Sequence, residues 1–216
     1  MYIAFILSFR KQCNMQIHHP ITYLALGDSY TIGEGLPLRE SFPYQLIQLL
    51  RAAGQHAHAP EIVAQTGFTT RELATQLIHT QLEPQYDWVS LLIGVNNQYR
   101  GLSIREFAEE FEFLLHKAIH LSKRAEKGVF TLTIPDWTQT PFAQNEANPI
   151  ERISITKYSE IVQQLSRQYQ VTCIDISAIC SLAAQTSGGL CKDDLHYSAT
   201  THAEWCKKIM QTIYPS

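Results

Sequence analysis

The sequence predicts a three-layer α/β/α sandwich around a doubly wound, parallel, five-stranded sheet. From residue 21 onward, five short apolar runs alternate with longer segments whose apolar residues recur at helical spacing. No repeat, low-complexity segment or linker-like stretch interrupts that alternation. The chain has 216 residues, of which 45% are hydrophobic and 17% charged, a balance typical of one folded domain with a sizeable core. Strands joined by helical crossovers form a parallel sheet, and 2-1-3-4-5 is the strand order that we expect.

The first elements are an apolar run at 21–26, closed by Gly27, and a helical segment that Ser41 opens and Gly54 stops. Between Ser41 and Gly54, apolar residues recur at helical spacing: Leu46, Ile47, Leu49 and Leu50. Residues 61–64 are the second predicted strand.

A capping box formed by Thr69 and Glu72 predicts the start of the next helix. We expect its buried face to be formed by Leu73, Leu77 and Ile78. The third strand, 88–93, is the most apolar of the five, and we expect it at the centre of the sheet.

The rest of the chain continues the same alternation. Ser103 and Glu106 resemble a second capping box, and the long helix that follows is expected to end at Gly128, before a fourth strand at 129–134. The remaining elements are a loop containing Pro135, Pro141 and Pro149, a helix over about 150–168, a fifth strand at 171–176, a short helix, and a terminal helix capped by Ser198 and ending near Ile213.

Composition excludes several functional classes. The net charge is 17 − 20 = −3, and a nucleic-acid binder normally shows a basic face. No apolar run approaches the roughly 20 residues of a membrane span, so we expect no stable membrane insertion. The sequence also has no Gly-x-Ser-x-Gly elbow, which disfavours the α/β-hydrolase class. It has no phosphate-binding Gly-x-x-x-x-Gly-Lys run either, which disfavours a nucleotide triphosphatase.

The cysteines and most of the histidines predict no metal site and no disulfide framework. The cysteines are odd in number and widely spaced, with no C-x-x-C pair: Cys13, Cys173, Cys180, Cys191 and Cys206. Several histidines lack a third ligand at metal-binding spacing and are predicted to be surface or structural residues: His56, His58, His116, His120 and His202.

Residues 1–20 are predicted to be a loosely attached, poorly ordered extension of a single domain that spans 21–216. Their apolar stretch, 3–9, follows no basic residue, whereas Arg10 and Lys11 come after it. A secretory signal has the opposite charge order. The sequence therefore favours a cytoplasmic location and leaves secretion open.

Polar motifs stand directly after the predicted strands. They are Gly27-Asp28-Ser29-Tyr30 after the first strand, Thr66-Gly67-Phe68 after the second, Gly94-Val95-Asn96 after the third, and Asp193-Asp194-Leu195-His196 beyond the fifth. Each motif alone is more often an ordinary turn or helix cap. Because the carboxyl ends of parallel strands meet at one edge of the sheet, one site could use all four.

The chemistry that these residues could perform is nucleophilic acyl transfer. Ser29 is the candidate nucleophile and His196 the candidate base, since a serine hydroxyl needs a neighbouring base. A carboxylate must orient the imidazole, and spacing favours Asp193 over Asp194.

The oxyanion of such a reaction needs preorganised hydrogen-bond donors. The candidates are the backbone N–H groups of Ser29 and Gly67 and the side-chain amide of Asn96. Glycine at position 67 would let the backbone approach the reacting carbonyl closely.

From about Tyr23 to Trp205, the four motifs resemble those of the SGNH hydrolases, the GDSL-type esterases and lipases. The resemblance implies a flavodoxin-like sandwich, no metal or organic cofactor, and hydrolysis through an acyl-serine intermediate. Three residues depart from the family pattern: Tyr30 where Leu is usual, Asp194 where Gly is frequent, and Tyr197 where Pro is frequent.

The expected substrate is a small-molecule acyl ester. The residues predicted to line its cleft are Tyr30, Asn97, Tyr99, Arg100 and Trp137. Their mixture of aromatic rings, amides and one cation favours a short acyl group on a polar carrier, such as a carbohydrate O-acetyl ester. A lysophospholipase or thioesterase using the same triad stays open, as does a non-catalytic flavodoxin-like binding domain.

Overall fold

The computed structural model describes residues 19–144 and 154–214. Within them, five parallel strands form one sheet in the order β2-β1-β3-β4-β5. The strands are β1 (Tyr23–Gly27), β2 (Glu61–Ala64), β3 (Trp88–Leu92), β4 (Val129–Leu132) and β5 (Thr172–Ile174). The predicted fold class and strand order are confirmed, and β3 occupies the centre.

Helices separate the strands along the chain. They are α1 (Ser29–Ile32), α2 (Phe42–Ala52), α3 (Thr70–His79), α4 (Val95–Tyr99), α5 (Ile104–His120), α6 (Pro141–Gln144), α7 (Ile155–Gln168), α8 (Ser177–Gln185) and α9 (Ala199–Ile213). Three short 3₁₀ segments accompany them: Leu38–Glu40, Ala125–Gly128 and Trp137–Gln139. Helix α9 packs on α2 and α8, while α5 packs on α3 and α7, so the two groups form the outer layers of the sandwich.

The core lies on both faces of the sheet. Every residue of β1, β3 and β4 is buried, as expected for strands covered by helices on either side. Helix α5 contributes a stripe at helical spacing that is also buried: Phe107, Phe111, Leu114, Leu115 and Ala118.

Helix α5 ends at His120 and not, as predicted, at Gly128. The chain leaves the helix because the backbone around Ser122 pairs with Tyr86: the Tyr86 N–H donates to the Leu121 carbonyl at 2.7 Å, and the Tyr86 carbonyl accepts from Lys123 at 2.8 Å. A side chain at position 128 would collide with Ser122, since a Cβ there would lie 2.2 Å from its hydroxyl oxygen. Glycine is therefore required by close packing.

The start of α3 follows the prediction, and its buried face follows it in part: Leu77 packs partly buried against the core, but Ile78 does not. Thr69 and Glu72 form both hydrogen bonds of the capping box. Leu73 is buried, whereas Ile78 is 72% exposed. Five helical steps turn Ile78 about 140° away from Leu73, which brings it to the solvent side. Ser103 caps α5 by accepting the Glu106 N–H, one half of the predicted box.

Some predictions fall outside the described residues. These are most of the extension at 1–20, Cys13 and Pro149. The helix predicted from about residue 150 begins at Ile155 and is capped by Ser154, and 145–153 lie outside the described ranges. The four cysteines that the structure describes are free thiols: Cys173, Cys180, Cys191 and Cys206.

Candidate active site

Ser29 is the first residue of α1 and follows β1 with one residue between them. That residue, Asp28, caps the helix by accepting the Tyr30 N–H at 3.0 Å. Burial raises the pKa of Asp28 to about 7, although the backbone N–H of Tyr30 and its own N–H lower it in part. The strand-to-helix turn thus holds Ser29 at the carboxyl edge of the sheet, with its side chain nearly buried.

Ser29, His196 and Asp193 form one continuous row of hydrogen bonds. The His196 Nε2 atom lies 2.9 Å from the Ser29 Oγ atom, and the His196 Nδ1 atom lies 2.7 Å from the Asp193 Oδ2 atom. With its proton on Nδ1, the imidazole donates to the carboxylate and accepts from the serine hydroxyl. His196 therefore contacts both of the other residues that the sequence predicts for the triad.

Backbone groups hold Asp193 in place. Its Oδ1 atom accepts the N–H groups of Leu195 at 3.1 Å and His196 at 3.0 Å. Partial burial raises the pKa of Asp193, but the hydrogen bonds from His196 and Leu195 outweigh burial and bring the pKa below its ordinary value. The carboxylate is accordingly ionised at neutral pH and can stabilise an imidazolium.

Backbone hydrogen bonds join the two ends of the loop that carries Asp193 and His196. Leu190 and Tyr197 form an isolated antiparallel bridge, and the Cys191 N–H donates to the His196 carbonyl at 2.7 Å. Asp194 is exposed and has a left-handed backbone, with φ of 57°, which is the conformation that favours glycine. The structure places Asp193, and not Asp194, against the imidazole.

Gly67 lies in a four-residue turn after β2. The Phe68 N–H donates to the Gln65 carbonyl at 3.1 Å, and Gly67 takes the third position with φ of 83°. A positive φ at this position favours glycine because other residues are strained there.

Asn96 lies in the first turn of α4, which begins after Gly94. Its Nδ2 atom donates to the Phe68 carbonyl at 2.9 Å. An amide nitrogen carries two hydrogens, so one N–H fixes the side chain to the turn and the other can serve a ligand. Gly94 has φ of 128°, and a Cβ there would lie 2.5 Å from Phe107.

These groups surround a cavity of about 200 Å³. Trp137 dominates its aromatic wall: its ring meets Tyr99 edge-on at 5.1 Å and Phe142 at 6.3 Å, and its indole N–H donates to Gln98 at 2.8 Å. The residues that line the cavity are Ser29, Tyr30, Thr66, Gly67, Val95, Asn96, Tyr99, Trp137, Phe142, Leu195 and His196.

Comparison with known proteins identifies the family. The model of the GDSL-like lipase/acylhydrolase family matches residues 25–204. The chain belongs to this family. It is thus a carboxylic ester hydrolase of the GDSL type, and its substrate class is a small-molecule ester.

Individual relatives of this GDSL-like hydrolase are distant in sequence. An acetylxylan esterase from Geobacillus stearothermophilus is 23% identical over 158 residues, which cover 68% of each chain. The crystal structure of a lipase/acylhydrolase from Enterococcus faecalis superposes with a TM-score of 0.71 at 20% identity, covering 89% of this chain and 95% of that one. The crystal structure of TesA superposes with a TM-score of 0.70 at 18% identity, covering 90% and 98%. The two structures share the fold.

Two residues predicted to line the cleft of this GDSL-like hydrolase lie elsewhere. Asn97 is buried with its Oδ1 atom accepting the Thr70 N–H at 3.0 Å and its Nδ2 atom donating to the Thr70 hydroxyl at 2.7 Å. Arg100 binds the Gly67 carbonyl and Glu72. Asn97 is one helical step, about 100°, from Asn96 and faces away from the cavity. Arg100, four steps on, lies on nearly the same side as Asn96, but its guanidinium binds the Gly67 carbonyl and Glu72 and does not line the cavity.

Four lining residues were not among those predicted from the sequence to contact the substrate or take part in the reaction. Thr66, Val95 and Leu195 belong to the motifs and adjoin Gly67, Asn96 and His196 in sequence, which was the available signal. Phe142 is in the short helix α6 of the segment that follows β4, where aromatic content was the signal. Tyr30, Tyr99 and Trp137 line the cavity as the sequence analysis expected.

In the described ranges of the hydrolase, the histidines outside the Ser29–His196–Asp193 row do not converge on a metal site. Within 19–144 and 154–214, no three His, Cys, Asp or Glu side chains come together as metal ligands. His202 is buried and accepts the Phe42 N–H on its Nδ1 atom at 2.9 Å, a structural role. None of the helices within the described ranges combines the length and hydropathy that a membrane span requires.

Proposed function

We propose that the protein is a serine esterase in which Ser29 attacks the ester carbonyl and carries the acyl group. The observation that carries the proposal is the row from Ser29 through His196 to Asp193, with contacts of 2.9 and 2.7 Å, opening on a cavity. This is the arrangement that activates a weak hydroxyl nucleophile.

In the first half of the reaction, the His196 Nε2 atom removes the Ser29 proton as Oγ bonds to the carbonyl carbon. The resulting imidazolium returns that proton to the ester oxygen, the carbon–oxygen bond breaks, and the alcohol leaves. In the second half, His196 removes a proton from water as the oxygen of that water adds to the acyl carbon; the bond between the acyl carbon and Oγ then breaks as the imidazolium gives its proton to Oγ. Free acid and free enzyme result.

Asp193 stabilises the imidazolium in both halves. Its low pKa keeps it charged, and its bonds from the N–H groups of Leu195 and His196 fix its orientation. The positive charge on His196 then forms next to a fixed negative charge, which lowers the barrier.

The oxyanion is bound by the backbone N–H groups of Ser29 and Gly67 and by the Asn96 amide. The support for this assignment is that all three residues line the cavity that contains the Ser29 hydroxyl. The bond from Asn96 to the Phe68 carbonyl holds the amide beside the Gly67 turn before substrate arrives. Donors that are fixed in advance need no reorganisation during the reaction.

The preferred acyl group is short. A cavity of about 200 Å³ holds roughly seven water molecules at about 30 Å³ each, which is room for an acyl group of a few carbons. It is also smaller than the roughly 300–1,000 Å³ of most small-molecule sites. The acetylxylan esterase similarity supports a carbohydrate O-acetyl ester as one such substrate. The long chain of a lysophospholipid or acyl thioester would need a longer groove.

The decisive experiment is active-site labelling with a fluorophosphonate, followed by a panel of p-nitrophenyl esters from acetate to decanoate. The wild-type protein should incorporate one label on Ser29 and lose activity in proportion. Ser29→Ala should take no label, while Ser187→Ala, a change at an exposed serine, should behave as wild type.

Each part of the proposal can fail separately. Labelling that persists in Ser29→Ala would refute Ser29 as the nucleophile. A wild-type protein that takes no label would refute the serine mechanism altogether and favour a binding domain. A kcat/KM that rises steadily toward decanoate would refute the short acyl group and favour the thioesterase or lysophospholipase alternative.

A further inference from the structure

We propose that Arg100 is a positioning residue that holds the Gly67 turn and the Asn96 helix at the separation that binds the oxyanion. The inference rests on the function proposed above and assigns a role to a residue that does not line the cavity.

Arg100 bonds to both donor residues at once. Its Nη2 atom donates to the Gly67 carbonyl at 2.6 Å, and its backbone N–H donates to the Asn96 carbonyl at 3.0 Å. Gly67 and Asn96 come from loops after different strands, β2 and β3. One residue therefore links the two elements whose N–H groups must point at the same atom.

The neighbouring contact reinforces the link. The Asn96 amide donates to the Phe68 carbonyl at 2.9 Å, so two consecutive carbonyls of the turn are each bound by a side chain of the α4 segment. Two attachments at adjacent peptides prevent the turn from rotating about either one. The Gly67 N–H is then fixed relative to the amide of Asn96, as oxyanion binding requires.

The guanidinium is itself fixed by Glu72. The Nη1 atom of Arg100 lies 3.1 Å from the Glu72 Oε1 atom and 3.3 Å from its Oε2 atom. The same carboxylate accepts the N–H of Thr69 at 2.7 Å and its hydroxyl at 2.9 Å, as part of the capping box of α3. Arg100 is therefore clamped between the turn and the helix that follows it.

These contacts contribute little to the stability of the fold. The side chains of Arg100 and Glu72 are 44% and 43% exposed, and ion pairs at that exposure stabilise proteins weakly. The effect of removing Arg100 should thus be on the geometry of the oxyanion donors, which affects the transition state more than the bound substrate.

The test compares Arg100→Ala and Arg100→Lys with a matched control, Arg71→Ala. Arg71 also forms an exposed ion pair, with Glu110 at 2.9 Å, but on the solvent side of α3. On p-nitrophenyl acetate, Arg100→Ala should lower kcat by about 10- to 100-fold with KM within about twofold of wild type. Arg71→Ala should leave kcat within about twofold, and the two alanine variants should have similar Tm values.

Lysine should rescue only in part. Arg100→Lys retains one donor for the Gly67 carbonyl but loses the planar fork that also binds Glu72. Its kcat should lie between those of Arg100→Ala and wild type.

A double-mutant cycle with Asn96→Ala identifies the step on which Arg100 acts. Asn96→Ala should lower kcat by about 10²- to 10³-fold if its amide is an oxyanion donor. Once that donor is absent, adding Arg100→Ala should cost less than about threefold, because the geometry that Arg100 maintains no longer has its full use.

Several results would overturn the positioning role. They are a kcat of Arg100→Ala within twofold of wild type, a change confined to KM, a loss of activity that follows a lower Tm, and fully multiplicative effects in the double mutant. If wild-type protein hydrolyses esters but shows one of these results, the proposed function stands and only the role of Arg100 fails. If wild-type protein shows no turnover and no labelling, both proposals fail.

Discussion

His196 and His202 are six residues apart and have opposite surroundings. His196 lies at the cavity, with one ring nitrogen on Ser29 and the other on Asp193. His202, in α9, is buried against Phe42 and stacks on Trp205 at 4.5 Å. Two imidazoles on adjoining segments thus have different roles, and the residues around each imidazole determine its role.

The two histidines differ in their electrostatic surroundings. Burial, with a smaller contribution from nearby His196, lowers the pKa of His202 to about 3, so its ring is neutral at every working pH. A neutral ring can accept the Phe42 N–H permanently. His196 faces an ionised carboxylate, the partner that a ring needs in order to hold a proton briefly.

The largest expected effect is that of His196→Ala on catalysis. Without a base, kcat/KM for p-nitrophenyl acetate should fall by about 10⁴- to 10⁶-fold, while Tm stays within a few degrees of wild type. The measurement is steady-state kinetics combined with thermal unfolding. If the variant kept more than a tenth of wild-type activity, the general base would have to be a residue other than His196.

Replacing the two adjacent aspartates should change kcat by different factors, both smaller than the effect of His196→Ala. Asp193→Asn should lower kcat by about 10²- to 10⁴-fold because the amide favours the wrong tautomer of the imidazole. Asp194→Asn should stay within about twofold, since Asp194 is exposed and His196 bonds to Asp193. If Asp194→Asn proved the more damaging change, the orienting carboxylate would have to be reassigned.

His202→Ala should reverse the pattern seen at His196. Losing a buried ring and leaving the Phe42 N–H without its acceptor should cost about 2–4 kcal/mol in the free energy of unfolding, measured with urea. Turnover per labelled Ser29 should be unchanged. His202→Asn, whose amide oxygen can replace Nδ1, is the control and should lose less stability. Loss of turnover in properly folded His202→Ala would contradict the division of roles.

The smallest effect is a pH dependence of stability. The pKa of His202 is about 3 in the folded state, and about 6.5 is expected in the unfolded chain. Between these values the unfolded state binds the proton and the folded state does not, so stability is present above pH 6.5 and falls as the pH falls toward 3.

At pH 5 this difference should amount to about 2 kcal/mol relative to pH 7.5. Other groups, such as Asp28 and Asp193, titrate too, so the test is the difference between wild type and His202→Asn in urea unfolding at the two pH values. That difference should change by about 2 kcal/mol, in favour of the variant at pH 5. An unchanged difference would mean that His202 does not titrate between the two states.

Most of the fold could be predicted because its central strands form short apolar runs that are easy to recognise in the sequence. A strand such as β3, covered on both faces, is apolar at nearly every position, and such runs can be recognised without any alignment. Knowing that parallel strands end at one edge then groups Ser29, Gly67 and Asn96 before any coordinates are known. The contacts of His196 with Ser29 and Asp193 agree with that grouping.

Short elements and long-range contacts could not be predicted. Helices α1 and α4 have 4 and 5 residues, too few for a periodic pattern. The end of α5 depends on pairing with Tyr86, far along the chain from Ser122. The bond from Arg100 to Gly67 spans 33 residues and joins two loops, so no local pattern encodes it.

The position of Trp137 gives the cavity its own optical signal. The chain has three tryptophans, all within the described ranges, and Trp137 is the one that lines the cavity. Trp88 packs against Arg124 and Tyr214, and Trp205 stacks on His202. An acyl group that enters the cavity should therefore change the emission of the Trp137 indole and leave the emission of Trp88 and Trp205 unchanged. If Ser29 carries the acyl group as proposed, its acylation and deacylation should be observable in real time by intrinsic fluorescence, with natural esters and without a chromogenic leaving group.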